Sequence, residues 1–239
     1  MIDTHAHLDA LDDEPADVVA RAREAGVTRI LTVGGAEAVA LADRFEAVHA
    51  IVGIHPHESP AGDVEEIRRL QAHPKVVAVG EIGLDWYRDY APRDVQTRMF
   101  ERQLELAREL GKPVVIHTRA ADGDTLAALG GFDGTVVLHC FSSPHLLAPA
   151  LERGWYVSFA GNVTYKNAPE LRIAATQVPA DRILAETDSP YLAPQAVRGR
   201  RNEPAYVVHT LAALATARGD EPAGLAARID ENASACFGL

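Results

Sequence analysis

The chain predicts an α/β fold: a single (β/α)8 TIM-like barrel over residues 1–239, with an additional C-terminal helix. Three observations point there. Short apolar runs that read as buried strands alternate with helix-like segments, eight strands in all. No shift in composition marks a linker, and 239 residues is a common length for one such barrel. Histidines and carboxylates recur at the downstream ends of the runs, where the strands of a parallel barrel converge on one mouth. Strand counting does not show closure, so an open doubly wound sheet stands as the alternative.

The elements follow in order. "MIDTH" opens as a strand, and "EPADVVARAREAG" sets apolar residues on one helical face before Gly26. The later strand-like runs are "RILTV", "AIVGI", "VVAVGE", "PVVIH", "TVVLH", "WYVSF" and "RILAET". Helices are expected between them near residues 36–44, 64–72, 93–110, 123–129, 144–153 and 168–177. In the longest, Val95, Met99, Leu106 and Leu110 follow helical spacing with Arg and Glu between them. Two more helices, 203–217 and 222–237, close the chain.

Composition narrows the class. With 47% hydrophobic residues the chain has ample material for a core. Its two cysteines, Cys140 and Cys236, are too few for a disulfide framework and form no CxxC pair, which fits reduced thiols in the cytoplasm. The opening residues carry no basic, apolar leader, and no apolar run is long enough to span a bilayer. A net charge of −11 argues against a broadly basic nucleic-acid clamp. Divalent cations at an acidic mouth would still attract phosphate there. With no heptad or apolar interface stripe, a monomer is the default.

Six side chains carry the chemistry: His5 and His7 after the first run, Glu81, His117, His139 and Asp188. Each alone has an ordinary explanation. His117 and His139 could be satisfied core histidines, and Asp188 lies in "TDSP", which is good turn chemistry. The i, i+2 spacing of His5 and His7 puts both on one face of a strand, within reach of one cation. A carboxylate such as Glu81 at the end of an apolar run is costly unless partnered. Imidazole and carboxylate together suit zinc, manganese or related divalent ions, and six such groups suffice for two ions with positions left for water and substrate.

At these residues the sequence resembles the TatD family of metal-dependent deoxyribonucleases, within the amidohydrolase-like barrels. The motifs appear in family order over essentially the whole chain: "DTHAHLD", "GIHPH", "GEIGLDWYR", "VIHTR", "LHCFS", and "ETDSPYL" followed by "RGRRNEP". The resemblance implies one metal held by His5, His7 and Asp188, a second by His117 and His139, and Glu81 bridging them. Mg, Mn and Zn all suit the set. Many related barrels bridge their ions with a carboxylated lysine at the fourth strand. Lys75, Lys112 and Lys166 do not stand there, whereas Glu81 does.

The expected mechanism is hydrolysis by a metal-activated water, with Glu81 and Asp188 as the catalytic candidates and Asp188 orienting or deprotonating that water. Arg119 lies two residues beyond His117, and "RGRRNEP" concentrates Arg198, Arg200 and Arg201 before Asn202, read as an N-cap. Trp86 and Tyr87 follow Glu81 and could stack on a base of single-stranded DNA or pack on the barrel rim. His55 and His57 face the mouth as substrate contacts or supports of the metal ligands. His49, His73, His145 and His209 read as surface or helix residues, and Cys140 as a buried thiol turned away from the metals. Ala120, Ser143 and Pro144 depart from the family pattern in loops at the mouth, which bears on substrate preference.

Three functions follow. The first is a phosphodiesterase removing nucleotides from the 3′ end of single-stranded DNA, as the resemblance implies, with DNA repair and DNA degradation both open as its role. The second is an ester hydrolase such as a D-aminoacyl-tRNA deacylase. The third is a non-catalytic metal-binding protein, against which the complete ligand set argues.

Overall fold

The computed structural model describes residues 1–88 and 90–239. Its strands are β1 (Ile2–Ala6), β2 (Arg29–Gly34), β3 (Val48–Val52), β4 (Val76–Asp85), β5 (Val114–Arg119), β6 (Val136–Leu138), β7 (Tyr156–Phe159) and β8 (Ile183–Ala185). They form one parallel sheet in the order β1 to β8. Helices α1 (Pro15–Glu24), α2 (Ala36–Arg44), α3 (Val64–Leu70), α4 (Arg93–Leu110), α5 (Asp122–Ala128), α6 (Leu147–Glu152) and α7 (Pro169–Gln177) fill the connections. After β8 come α8 (Val207–Arg218) and α9 (Pro222–Phe237). The segments expected as helices from residues 144 and 203 each begin with a turn of 3-10 helix led by proline, Pro144–Leu146 and Pro204–Tyr206. Among the described residues, no helix is long and apolar enough to cross a membrane.

The open-sheet alternative is overturned at the seam between β8 and β1. Ala6 bridges Ser189, the Asp188 amide donates to the His5 carbonyl (2.9 Å), and the His7 amide donates to the Ser189 carbonyl (2.7 Å). Thr187 adds two bonds to the buried Asp3 carboxylate, from its amide (2.8 Å) and its hydroxyl (2.6 Å). The result is a nearly closed TIM-like barrel. Its strands are buried on both faces, which is why they read as continuous apolar runs and not as alternating ones.

Helix α4 shows how the outer layer sets the mouth. Its buried stripe is Gln96, Met99, Phe100, Gln103, Leu104, Leu106 and Ala107, while Leu110, expected on that face, is exposed. Burying each large apolar side chain contributes about 1.5–3 kcal/mol. The two glutamines instead accept and donate: Gln103 grips both backbone groups of Ile54 (2.7 and 3.0 Å), and Gln96 accepts from the Asp85 amide (2.9 Å). The polar breaks in the helix stripe thereby fix the backbone just before His55 and at Asp85.

Candidate active site

Two irregularities in strand register aim the central side chains. Between Asp3 and Ala6, β1 advances three residues while β2 advances only two. Between Gly80 and Ile82, β4 advances two while β5 advances one, which makes Glu81 the inserted residue. Such bulges re-aim a side chain that regular alternation would send elsewhere. Downstream of Glu81 the strand continues to Asp85, four residues beyond the expected end. Gly83 permits this: its φ is +141°, and a Cβ there would lie 2.0 Å from the His117 carbonyl oxygen.

Glu81 stands at the centre, and its two oxygens face different partners. Oε2 lies 3.3 Å from His5 Nε2 and 3.7 Å from His7 Nε2. The same two imidazole nitrogens lie 3.9 and 3.6 Å from Asp188 Oδ1. Oε1 lies 2.7 Å from His117 Nδ1, 2.8 Å from His139 Nε2 and 3.5 Å from His55 Nε2. All six side chains singled out in the sequence therefore meet. Donor atoms of His5, His7 and Glu81 lie within 4.8 Å of one another, as do those of His5, His139 and Asp188, and those of His55, Glu81 and His117.

Whether the residues fit a cation is tested by His5. Its ring is fully buried, yet neither nitrogen has a hydrogen-bond partner. A buried polar group left so is costly unless another species satisfies it. A divalent cation on Nε2, beside the carboxylates of Glu81 and Asp188, would satisfy that nitrogen, so the donor set fits a metal.

Two carboxylates that sequence reasoning missed orient the other imidazoles. Glu186, buried beneath His139, pairs with His139 Nδ1 (3.1 Å), accepts from the Cys140 amide (2.7 Å) and is bonded by the Ser158 hydroxyl. Asp85 pairs with His117 Nε2 (3.2 Å) and His57 Nε2 (2.9 Å) and accepts the Tyr87 and Arg88 amides. Each of His117 and His139 thus turns one nitrogen to Glu81 and the other to a carboxylate, the arrangement that fixes the tautomer of a metal-ligating imidazole. His55 differs. Its Nδ1 accepts the His57 amide (3.2 Å), so in the neutral ring the proton sits on Nε2, making His55 a donor toward Glu81.

The electrostatics follow from this crowding. Burial opposes charge on Glu81, but His139, His55 and His117 together hold it well below the usual carboxylate range. Burial likewise opposes charge on Asp188, and His7 and its neighbours overcome it to keep the carboxyl low. Burial and the nearby His139 push His5 down, whereas Glu81 and Glu186 outweigh burial and push His139 well up.

The site opens into a cavity of about 1140 Å³. His7, His55, His57, Arg119 and Asp188 line it, together with Tyr90 and Tyr191. The other expected substrate contacts lie elsewhere. Trp86 donates to Asp124 (2.8 Å) and carries the Arg93 guanidinium over its ring, and Tyr87 sits under that of Arg119 at 3.9 Å. Arg201 is held by Asp12 and the Ala10 carbonyl, Arg198 covers Tyr165 (4.6 Å), and Arg200 is an exposed residue off the cavity wall. Asn202, expected as an N-cap, is buried and donates to the Thr187 and Tyr191 carbonyls, tying down the loop after β8.

Cys140 corrects its expectation. Strand β6 ends at Leu138, and Cys140 takes a left-handed φ of 44°, so it lines the cavity beside His139 and Asp188 instead of turning away. Burial and the carboxylates of Asp188 and Glu186 push its thiol well up. Of the remaining histidines, His49 lies on β3, a strand and not a helix or open surface, and His73 pairs with Asp43 at 3.0 Å.

A parallel barrel whose strand ends gather imidazoles and carboxylates around one shared glutamate is the architecture of a metal-dependent hydrolase. The family model described as TatD related DNase matches residues 2–238. The chain is 40% identical over 259 residues to the uncharacterized metal-dependent hydrolase TatD of Mycobacterium tuberculosis, covering 100% of this chain and 98% of that one. It is 38% identical over 243 residues to the 3′-5′ ssDNA/RNA exonuclease TatD of Cronobacter sakazakii, covering 95% and 92%. Among solved structures, the TatD homolog YjjV of Escherichia coli K12 superposes with a TM-score of 0.93 at 29% identity, over 100% and 98% of the two chains. The chain belongs to the TatD related DNase family of metal-dependent hydrolases.

Proposed function

We propose that this protein is a two-metal phosphodiesterase that removes nucleotides from the 3′ end of single-stranded DNA, acting as a cytoplasmic monomer of one domain. The observation that carries the reading is the division of Glu81, one oxygen toward His5 and His7, the other toward His117 and His139. In this reading His5, His7 and Asp188 would hold one cation and His117 and His139 a second, with Glu81 available to both. Mg, Mn and Zn are all compatible with that donor set. When bound, a pair of divalent cations supplies the charge that polarises a phosphoryl group and acidifies water.

The chain's own groups do the rest. Asp188, held ionised by His7 and its neighbours, accepts the proton of the attacking water. Asp85 and Glu186 keep His117 and His139 turned so that a lone pair faces Glu81's side of the site. His55 offers its Nε2 proton to an oxygen at the centre, and Arg119 brings positive charge to the cavity wall for the phosphates. The strand-end preference is supported by the Cronobacter relative, which is named a 3′-5′ ssDNA/RNA exonuclease.

The test is a direct assay of metal-loaded protein on single-stranded DNA labelled at either end, on duplex DNA, on RNA and on D-aminoacyl-tRNA. The expected result is early release of the 3′-terminal nucleotide from the single strand and slower attack on duplex. Cleavage of the aminoacyl ester with DNA left intact would move the function to deacylation.

A further inference from the structure

The cavity carries two tyrosines that neither the metal ligands nor the polar contacts account for. Tyr90 is 62% exposed and Tyr191 57% exposed, and both line the cavity. Large exposed aromatic rings are costly to leave in water, and here each is fixed by an edge-to-face contact with a histidine of the site. Tyr90 meets His57 at 4.8 Å and 86°, and Tyr191 meets His7 at 5.8 Å and 71°. Their loops follow β4 and β8, which stand diametrically opposite in a closed circle of eight strands. The two rings therefore flank the mouth on opposite sides, with Glu81 and its histidines between them.

Charge around the rim selects the same line. The segments after β1, β2 and β3 carry Asp9, Glu37 and Glu58 to the cavity wall, while the loop after β4 and the end of β5 carry Arg88 and Arg119 there. A polyanion is repelled from the first arc. The side of the mouth from β4 round to β8 is therefore the less repulsive one for a phosphate backbone.

We propose that Tyr90 and Tyr191 are base platforms, one on each side of the phosphodiester to be cut, that position unpaired nucleic acid by stacking. Such stacking needs bases that are free to leave their neighbours, so it selects single strands over duplex. The inference rests on the nucleic-acid reading above and adds the residues that impose it. Trp86 and Tyr87, which do not line the cavity, are not these platforms.

The experiment compares wild-type protein with Tyr90→Ala, Tyr191→Ala and the corresponding Phe variants, all metal-loaded, on a single-stranded oligonucleotide and on the same strand made abasic around the cleaved bond. Each Ala variant should raise KM on the intact strand roughly 5- to 100-fold, with kcat nearly unchanged. The Phe variants should keep wild-type KM. On the abasic strand, all five proteins should be equal. A 2-aminopurine placed in turn at the 3′-terminal and the penultimate position of an uncleavable phosphorothioate strand should be quenched at both by the wild-type and Phe proteins, and each Ala variant should lose quenching at one of the two positions. Wild-type KM and quenching in the Ala variants, or an equal loss on intact and abasic strands, would overturn the platforms while leaving the nuclease reading in place. No cleavage of any nucleic acid by the wild-type protein would instead remove that reading, and the platforms with it.

Discussion

Glu186 illustrates how much of the site lies one bond behind the ligands. It touches no position where a cation would sit, yet it holds the far nitrogen of His139 and the amide of Cys140 at once. Glu186→Gln keeps the volume and removes the charge that makes His139 a stronger base. Metal affinity should fall about 10- to 100-fold. A chelator-competition titration measures this, and unchanged affinity would refute the orienting role. At this scale the sequence was most legible where a residue type is intrinsically rare in its setting, as with Glu81 and the His5, His7 pair. Glu186 and Asp85 were hidden because their partners are brought by folding from as far as 47 residues away, and nothing local marks a carboxylate as belonging to a particular imidazole. Cys140 was misplaced for a related reason: alternation holds only while the strand continues, and β6 stops two residues earlier.

Among the elements, β4 bears the greatest demand. It must bulge at Glu81, then run on beside β5 to deliver Asp85, and it does so through Gly83, where an added Cβ would lie 2.0 Å from the His117 carbonyl oxygen. Gly83→Ala forces β4 and β5 apart or strains the backbone, at a cost of about 2–4 kcal/mol. That corresponds to a melting temperature lower by roughly 5–15 °C for a chain of this size. Calorimetry of the metal-free protein would show it, and a variant melting like wild type would contradict the close approach. All eight strands were legible as apolar runs because a barrel strand is buried on both faces. The extension of β4 was not, since "IGLDW" contains a glycine and an aspartate that locally signal a turn. The α4 stripe was legible in part. Gln96 and Gln103 look like solvent-facing residues until the backbone groups they bind are in place.

The whole molecule reads as a rigid frame around a centre of packed imidazoles and carboxylates. Closure of β8 on β1 sets His5 and Asp188 edge to edge, and the frame brings imidazoles and carboxylates into contact. Divalent metal should therefore stabilise the fold by linkage. At a concentration about 100 times its dissociation constant the gain is about 2.7 kcal/mol, which raises the melting temperature by roughly 5–10 °C. Differential scanning fluorimetry with manganese, then with excess EDTA, checks the rise and its reversal. An unaltered melting curve would mean the barrel is indifferent to the ion. The fold class was legible from alternation and length together, whereas closure depends on bonds between residues near the two ends of the chain and could only be seen in three dimensions.

The central claim is that Glu81 is shared between two cations, and a crystal of the protein grown with manganese tests it most directly. The anomalous difference map should show two peaks, one beside Glu81 Oε2 with His5, His7 and Asp188, the other beside Oε1 with His117 and His139. A single peak, or two peaks with Glu81 bound to neither, would contradict it.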